Sequence, residues 1–461
     1  MNARTATLYA LAAALVWPVM VSLFLGGHSP TPVALIPLVV LVLAYSAVRL
    51  AILFCAGDPR LLETMFWLFI YLVAGVVPLA QIKTGLRPNL LTQETLVHAQ
   101  VIVLVACVSY DMGHRLDLFR SHGPSETARV LSLGRLKLLS AVSIVSSTYY
   151  VSVLGGPATF FVSREDIGNV LAEAGFSAKE GSSLVAYNLL NACGTAPVLL
   201  CFAGWLSVVI RDRGSRTVGP FAWLAVLFAF NVIVNNPVSS ARFWFVTAIV
   251  GMVFSIPRQP RPVFRTFLVS TIVTAILIFP YSDYFRLSDR GAILVKPITY
   301  TLSTKDYDQT TMAANGVTYA DQYGHTYGYQ LLGAATFWVP RSIWPNKPID
   351  TGVLIGRTIP GAGTTNLSSP LWIEAWLDFA MLGVVAVFLA VGALARRLDG
   401  DFVRLAMRGS ARPTMVQVLL PFLAGYSLIV LRGPLLQASA NLVVIVGICW
   451  ILCPRRTRQR A

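Results

Sequence analysis

Several short stretches of the sequence place cationic side chains beside Pro, Gly or Asn residues, where the chain is expected to turn. A guanidinium group is a planar fork that matches the oxygens of a phosphate bidentately. Because rigid turns would hold several forks in a fixed arrangement, we expect one shared site for an anionic, diphosphate-bearing substrate. The alternative for each cation is anchoring to lipid headgroups, or an ion pair with Asp283, Asp289 or Glu374. The cations are Arg242, Arg286, Arg290, Arg341, Lys347 and Arg432.

Carboxylates and one histidine are the candidates for acid–base chemistry. Glu374 and Asp378 are four residues apart, so in a helix they share one face. Glu374 is a candidate acceptor of a proton from a sugar hydroxyl. The alternative is that the two carboxylates form structural ion pairs with the arginines above. His325 and Asp289 are further acid–base candidates, although the position of His325 in a loop favours a polar loop residue over a base.

The sequence carries no motif for a nucleotide, a redox cofactor or a metal. It has no P-loop, dinucleotide fingerprint, zinc motif or nucleophile elbow. The six cysteines lie in or beside apolar runs and lack the spacing of metal ligands, which favours small buried or lipid-facing residues. We therefore expect no cofactor and no metal, and a reaction whose energy comes from the substrate.

The composition indicates a protein whose main solvent is lipid. Of its 461 residues, 56% are hydrophobic and only 12% are charged, whereas soluble proteins average about 25% charged residues. This excludes a cytosolic enzyme, a secreted domain and a disordered chain. The net charge of +15 is spread between apolar runs, which favours the positive-inside bias of membrane proteins over binding to nucleic acid.

Apolar runs long enough to cross a bilayer predict an all-α polytopic membrane protein with about twelve transmembrane helices. Clusters of arginine follow the fourth, sixth, eighth, tenth and twelfth of these runs. Since cytoplasmic loops carry the excess of Lys and Arg, both termini are expected to be cytoplasmic. The predicted spans are 6–26, 32–56, 63–82, 95–112, 136–155, 184–210, 219–235, 242–256, 266–281, 371–395, 414–431 and 434–452.

One long hydrophilic stretch, residues 282–370, is expected on the opposite, extracytoplasmic side. It is rich in Tyr and Trp, which favours an ordered cap on the outer face over a linker. The chain thus divides into transmembrane helices one to nine in residues 1–281, an extracytoplasmic region in 282–370 that carries part of the site, and helices ten to twelve with a basic tail in 371–461.

The segment from residue 340 to 348 reads Pro-Arg-Ser-Ile-Trp-Pro-Asn-Lys-Pro. It resembles the Pro-Arg-x-x-Trp-Pro-x-Lys-Pro signature of bacterial O-antigen (Wzy-type) oligosaccharide repeat-unit polymerases. The Ser-rich segment before Glu374, the Asn-Pro-x-Ser-x-x-Arg pattern that ends at Arg242 and the Arg432-Gly433 pair are also similar to that family. The chain departs from the family at Leu377-Asp378-Phe379-Ala380, where the family has Asn-Phe-Gly. The resemblance covers residues 235–434.

The resemblance implies a GT-C-like membrane glycosyltransferase in the bacterial cytoplasmic (inner) membrane. Such an enzyme joins polyprenyl-diphosphate-linked oligosaccharide repeat units into O-antigen, capsule or exopolysaccharide on the outer side of that membrane. It implies catalytic roles for Glu374 and Arg341, substrate contacts for the remaining cations, and a flippase and a chain-length regulator as partners. Nucleic acid is not an expected partner.

Three other functions stay open on the sequence alone. A transporter or flippase of lipid-linked oligosaccharide would move its substrate without elongating a glycan. A glycan ligase would transfer finished polymer to another acceptor. A purely structural membrane subunit would tolerate loss of the outer arginines. The long one-sided loop and the lack of visible internal repeats favour the enzyme over the transporter.

Overall fold

A computed structural model of the chain describes residues 3–24, 34–84, 91–116, 129–162, 170, 181–237, 240–256, 261–278, 302, 307–359, 367–407 and 412–454. In these ranges the ordered elements are helices, and no β-strand occurs beyond one isolated bridge between Val130 and Thr414. The predicted all-α class is therefore confirmed for the part of the chain described.

The helices follow the apolar runs of the sequence closely. In chain order they are α1 Ala3–Phe24, α2 Leu35–Ala56, α3 Leu61–Phe69, α4 Val77–Thr84, α5 Gln93–Arg115, α6 Leu133–Val153, α7 Gly181–Arg211, α8 Val218–Val234, α9 Arg242–Ser255 and α10 Arg261–Val273. They continue with α11 Gln309–Tyr323, α12 Tyr329–Ala335, α13 Thr351–Gly356, α14 Leu371–Met407, α15 Met415–Arg432 and α16 Leu435–Leu452. A π-helical segment, Ile70–Val76, joins α3 to α4 without a break.

Eight helices in the described ranges are long and apolar enough to cross a membrane by length and composition. Three further candidates form shorter apolar helices, and the ninth predicted span runs as α10 and a π-helical turn before it leaves the described residues. The chain is thus a polytopic membrane protein, and the count of twelve spans stays a prediction. The eight are Leu35–Ala56, Leu61–Ile82, Gln93–Arg115, Leu133–Val153, Ala186–Arg211, Leu371–Ala406, Met415–Arg432 and Leu435–Leu452.

Local sequence signals set the ends of several helices. Thr92 precedes α5, and its hydroxyl oxygen accepts a hydrogen bond from the backbone N–H of Thr95. Thr414 and Gln417 form a reciprocal capping box at the start of α15. These side chains satisfy backbone N–H groups that have no partner within the first turn of a helix.

Glycine allows the helices to pack closely. A Cβ atom on Gly113 or on Gly392 would lie within about 2 Å of a backbone oxygen of the facing helix, so α5 and α14 touch backbone to backbone. Gly425 of α15 approaches the Cα atom of Thr247 in α9 in the same way. Small residues at contact points are typical of membrane bundles, where close van der Waals packing drives helix association.

The outer surface of α6 shows what the bundle presents to its surroundings. Leu138, Val142, Val145 and Tyr149 are 51–70% exposed and recur every three or four residues along one face. Serines on the opposite face of α6 are buried against the neighbouring helices. An apolar stripe of this kind on an isolated surface is expected to face lipid.

Arginines gather at one end of the bundle. Arg396, Arg265 and Arg135 donate to backbone carbonyl oxygens in the last turn of α5, α2 and α16, respectively. These helices correspond to predicted spans four, two and twelve. Successive spans cross the membrane in opposite directions, so the C-terminal ends of even-numbered spans are expected on the same side. Which side of a membrane this end faces stays a prediction. The opposite end carries α11 to α13 and the start of α14.

Candidate functional site

The loop of residues 340–348 is held closed by its own two cations. The Arg341 Nη1 atom donates to the carbonyl oxygen of Lys347 at 2.7 Å, and its Nη2 atom donates to that of Pro348 at 3.1 Å. The Lys347 Nζ atom donates to the carbonyl oxygens of Phe337 at 2.6 Å and Val339 at 3.0 Å. The two cations of this segment thus have a local structural role.

The environment of Lys347 is unusual for a lysine. Its side chain is buried, with only 4% of the residue exposed. Burial lowers the pKa of Lys347, and the nearby Arg341 guanidinium adds to the shift. Arg341 donates to carbonyl oxygens within the 340–348 loop and Lys347 donates to those of the segment just before it, so both cations position the loop. Their expected contact with substrate stays a prediction.

The 340–348 loop leads directly to Asp350 and Thr351, which begin α13. The Asp350 Oδ1 atom accepts a hydrogen bond from the backbone N–H of Gly352 at 3.0 Å, so Asp350 caps this short helix. The Thr351 hydroxyl donates to the Oε2 atom of Glu374 at 2.8 Å. The segment after the loop therefore places the Thr351 hydroxyl against Glu374. Asp350, the preceding residue, brings a second carboxyl group to this part of the chain.

Glu374 is 5% exposed and lies in the first turn of α14. Besides the Thr351 hydroxyl at its Oε2 atom, its Oε1 atom accepts a hydrogen bond from the backbone N–H of Leu435 at 3.2 Å. That N–H belongs to the first turn of α16, where the helix dipole favours negative charge. The sequence suggested an arginine as the structural partner of Glu374; in the described residues its hydrogen-bond partners are instead a hydroxyl and a backbone N–H.

The helix that carries Glu374 is interrupted, which corrects the prediction of one continuous span over 371–395. It runs further, to Met407, and its regular geometry breaks at Phe379 (φ −140°, ψ 28°) and Ala380 (φ 51°, ψ −148°). Just before the break, the carbonyl oxygen of Leu377 accepts a hydrogen bond from the Thr326 N–H at 2.7 Å. A broken helix in a membrane bundle is tolerated where neighbouring groups satisfy its backbone.

Asp378 lies at the end of the first part of α14 and caps α12. Its Oδ2 atom accepts from the Leu331 N–H at 2.9 Å, and its Oδ1 atom accepts from the Gln330 N–H at 3.2 Å and from the Thr326 hydroxyl. Charge on Asp378 is therefore stabilised by helix-terminal N–H groups rather than by a described cation. This arrangement favours a structural role for Asp378.

Arg242 and Arg432 are brought to the same end of an antiparallel helix pair, because Arg242 begins α9 and Arg432 ends α15. The Arg432 guanidinium carbon lies 5.6 Å from the ring centre of Phe243. The next residue, Gly433, packs so tightly on the start of α14 that a Cβ atom would lie 1.7 Å from the Ser369 carbonyl oxygen. The turn that carries Arg432 therefore lies against the segment that carries Glu374.

His325 is positioned against Trp376 rather than against Glu374. The ring centres of His325 and Trp376 are 5.4 Å apart, and His98 of α5 contacts the same indole at 4.8 Å. The Nδ1 atom of His325 is buried and has no hydrogen-bond partner in the described part of the chain. His325 thus stays a candidate polar group near the break in α14.

The remaining predicted site residues lie outside the described residues. These are Arg286, Arg290, Asp283 and Asp289. The hypothesis that the outer arginines share one site therefore stays a prediction, supported by the proximity of Arg242 to Arg432. Arg341 is linked to the surroundings of Glu374 indirectly, because it holds the 340–348 loop that precedes Thr351.

Two residues of the site were missed in the sequence. Asp350 and Thr351 follow the 340–348 loop by two and three residues, and their spacing predicts no role in a site. The available signal was the Asp-Thr-Gly sequence at the start of an apolar segment, which predicts a helix N-cap. That signal predicts the cap and carries no information about contact with Glu374, which is 23 residues further along the chain.

A second buried cluster of charges occupies the arginine-rich end of the bundle. The Arg49 Nη2 atom lies 2.7 Å from Glu63 and 2.8 Å from Asp111, and His114 Nε2 lies 3.2 Å from Glu63. Asp399 accepts hydrogen bonds from the first backbone N–H groups of α3. The cluster ties α2, α3, α5 and α14 together, and paired charges of this kind are what a membrane interior tolerates.

No protein-family model, curated protein or solved structure matches this chain.

Proposed function

We propose that this protein polymerises polyprenyl-diphosphate-linked oligosaccharide repeat units by glycosyl transfer on the outer side of the bacterial cytoplasmic membrane. The observation that carries the proposal is the buried carboxylate of Glu374, held between the 340–348 loop and the turn that bears Arg432. A buried proton acceptor near a turn that carries an arginine would meet the needs of sugar transfer from a diphosphate.

The chemistry has a simple balance of atoms and charge. The hydroxyl oxygen of the acceptor sugar bonds to the anomeric carbon of the donor. The bond from that carbon to the diphosphate oxygen breaks, and its electron pair stays on the diphosphate. The hydroxyl proton passes to the Glu374 carboxylate. No nucleotide is consumed, because the donor diphosphate bond supplies the energy.

The cations take two kinds of role in this proposal. Arg242 and Arg432 stabilise the charge that develops on the leaving diphosphate, since preorganised guanidinium groups are most effective in a water-poor site. Arg286 and Arg290 are proposed to join them. Arg341 and Lys347 hold the loop that brings Thr351 to Glu374, so Arg341 acts on the reaction through position.

A transporter of the same lipid-linked oligosaccharide is the second candidate, and the interruption of α14 favours it. Discontinuous helices recur at the substrate sites of secondary transporters. The buried ion cluster of Arg49, Glu63, Asp111 and His114 also fits the charge pairs found along proton pathways. A transporter would move the substrate across liposomes and leave its length unchanged.

Substitutions at Glu374 test the proposed enzyme in membranes supplied with lipid-linked repeat units. Glu374→Gln keeps the shape but cannot accept a proton, and its amide oxygen replaces one of the two accepting carboxylate oxygens. We therefore expect the ladder of elongated products to disappear while protein abundance is kept. Glu374→Asp keeps the charge and shortens the reach, so a weak ladder is expected. A normal ladder from Glu374→Gln would remove Glu374 from the chemistry.

A further inference from the structure

The arginine-rich end of the bundle carries an open pocket between the start of α6 and the end of α16. The pocket measures about 600 Å³ and is lined by Arg129, Arg135, Trp450 and Pro454. Sites for small ligands commonly measure about 300–1,000 Å³. It lies at the end of the bundle opposite to Glu374, so it is separate from the site described above.

The two arginines of the pocket are held by different contacts. The Arg129 guanidinium carbon lies 4.8 Å from the ring centre of Trp450, which is the geometry of a cation–π contact. The Arg135 Nη1 atom donates to the carbonyl oxygen of Ile451 at 3.0 Å. Among the described residues, no carboxylate forms an ion pair with either arginine. Since a guanidinium group has five N–H donors, both arginines have donors left for a ligand.

The backbone around the pocket is fixed by hydrogen bonds between three elements. The Arg129 carbonyl oxygen accepts from the Met415 N–H at 2.9 Å, at the start of α15. The Ser132 N–H donates to the Leu452 carbonyl oxygen at 3.0 Å, at the end of α16. The segment that carries both arginines is therefore tied to α15 and α16, and the pocket is already formed without a ligand.

The elements that form the pocket carry basic residues and no acidic ones. Residues 129–153 and 412–461 contain no aspartate or glutamate. Asp212, at the end of the neighbouring α7, accepts hydrogen bonds from the Gly214 N–H and the Ser215 hydroxyl. A pocket of this charge attracts an anion, and guanidinium groups match the oxygens of a phosphate.

Two apolar stripes on the surface of the bundle end at the pocket. On α6, Arg135 precedes Leu138 by three residues and thus continues the exposed stripe described above. On α16, the exposed residues Val443 and Val446 lead to Trp450 at spacings of three and four. Apolar surface that leads to a pair of cations matches a phospholipid, in which acyl chains lead to a charged headgroup.

We propose that this pocket binds an anionic phospholipid, with the phosphate at Arg129 and Arg135 and the acyl chains along the stripes of α6 and α16. Trp450 lies at the boundary between the two, where tryptophan is enriched in membrane proteins. Basic pockets between transmembrane helices on the cytoplasmic side bind such headgroups, and the arginine-rich end is expected on that side. The inference does not depend on the proposed function.

Native mass spectrometry of the full-length protein in detergent tests the proposal, with phosphatidylglycerol and phosphatidylcholine as probes. We expect the wild type to retain phosphatidylglycerol at lower lipid concentration than phosphatidylcholine. Arg129→Gln/Arg135→Gln should weaken the binding of phosphatidylglycerol about tenfold, because each arginine near the surface attracts anionic lipid. Equal retention of the two lipids by the wild type would overturn the proposal.

A matched variant separates the pocket from the general positive charge of this end. Arg397→Gln/Arg404→Gln removes the same charge from exposed positions of α14 at the same end of the bundle. It should leave the affinity for phosphatidylglycerol within about twofold of the wild type. An equal loss in both double variants would show diffuse attraction and contradict a specific pocket.

Trp450 tests the contribution of the aromatic ring. Trp450→Ala removes the surface on which Arg129 lies, so we expect binding of phosphatidylglycerol to weaken several-fold. Trp450→Phe keeps an aromatic ring and should recover most of the affinity. Unchanged binding in Trp450→Ala would contradict the proposed placement of the headgroup.

Inorganic phosphate distinguishes a lipid site from a site for a free anion. Millimolar phosphate should leave the phosphatidylglycerol adduct in place, because it cannot use the apolar stripes. Displacement of the lipid by phosphate would overturn the assignment to a phospholipid.

Thermal unfolding guards against variants that are merely destabilised, since each protein is compared with itself. A ligand that binds only the folded state raises the Tm. Phosphatidylglycerol should therefore raise the Tm of the wild type more than that of Arg129→Gln/Arg135→Gln, each relative to its own lipid-free value. Equal shifts in the two proteins would contradict the proposal.

Discussion

At the scale of single residues, the two cations of the 340–348 loop have an architectural role. Arg341 and Lys347 together donate to five backbone carbonyl oxygens of the loop and the segment before it. The prolines at both ends of the loop have no backbone N–H group to donate. The side chains thus replace secondary structure in holding Asp350 and Thr351 near Glu374.

Arg341→Lys keeps the charge and removes the fork that reaches two carbonyl oxygens at once. We expect it to lower the free energy of unfolding by about 1.5–3 kcal/mol, the range for hydrogen bonds to charged groups, and to weaken elongation. Differential scanning fluorimetry and the ladder assay measure the two effects. Arg357→Lys, an exposed arginine after α13, is the control and should change neither. Unchanged stability in Arg341→Lys would mean that the loop does not depend on the fork.

At the scale of elements, the positions of the helices could be predicted and the contacts between them could not. Runs of apolar residues mark the helices because each must satisfy its own backbone within lipid. The partners of Glu374 lie 23 and 61 residues away in sequence, and no periodicity encodes such distances. The break in α14 was missed because Leu377-Asp378-Phe379-Ala380 contains no proline or glycine.

Ala380 tests the break directly. Its φ of 51° and ψ of −148° lie in a region that glycine adopts at little cost. Ala380→Gly should therefore raise the Tm or leave it unchanged, and keep elongation. The matched control is Ala386→Gly, an exposed and regular position of the same helix, which should lose about 1 kcal/mol of stability. Equal losses in both variants would indicate a continuous helix at Ala380.

At the scale of the whole molecule, two ends of one helical bundle carry different chemistry. One end gathers arginines that donate to the last carbonyl oxygens of α2, α5 and α16. The other end gathers Glu374, Asp350 and the loop that positions them. The positive-inside bias predicts that the arginine-rich end is cytoplasmic, so Glu374 and Asp350 should face outward.

Single-cysteine labelling tests that orientation. In a Cys193→Ser background, which removes the exposed native cysteine, Gln322→Cys lies on the exposed surface of α11 and Arg397→Cys lies at the opposite end of the bundle. An impermeant maleimide should label Gln322→Cys in intact spheroplasts and Arg397→Cys only after lysis, because the two positions are expected on opposite sides. The reverse pattern would invert the topology and move the site to the cytoplasm.

The central claim is that this chain alone elongates a lipid-linked glycan. The most direct measurement is reconstitution of the purified protein in liposomes that contain polyprenyl-diphosphate-linked repeat units, with products resolved on a gel and transbilayer movement followed in the same vesicles. We expect a ladder of products from the wild type, no ladder from Glu374→Gln, and no dependence on added nucleotide. Movement of the substrate without any increase in its length would contradict the claim and identify a transporter.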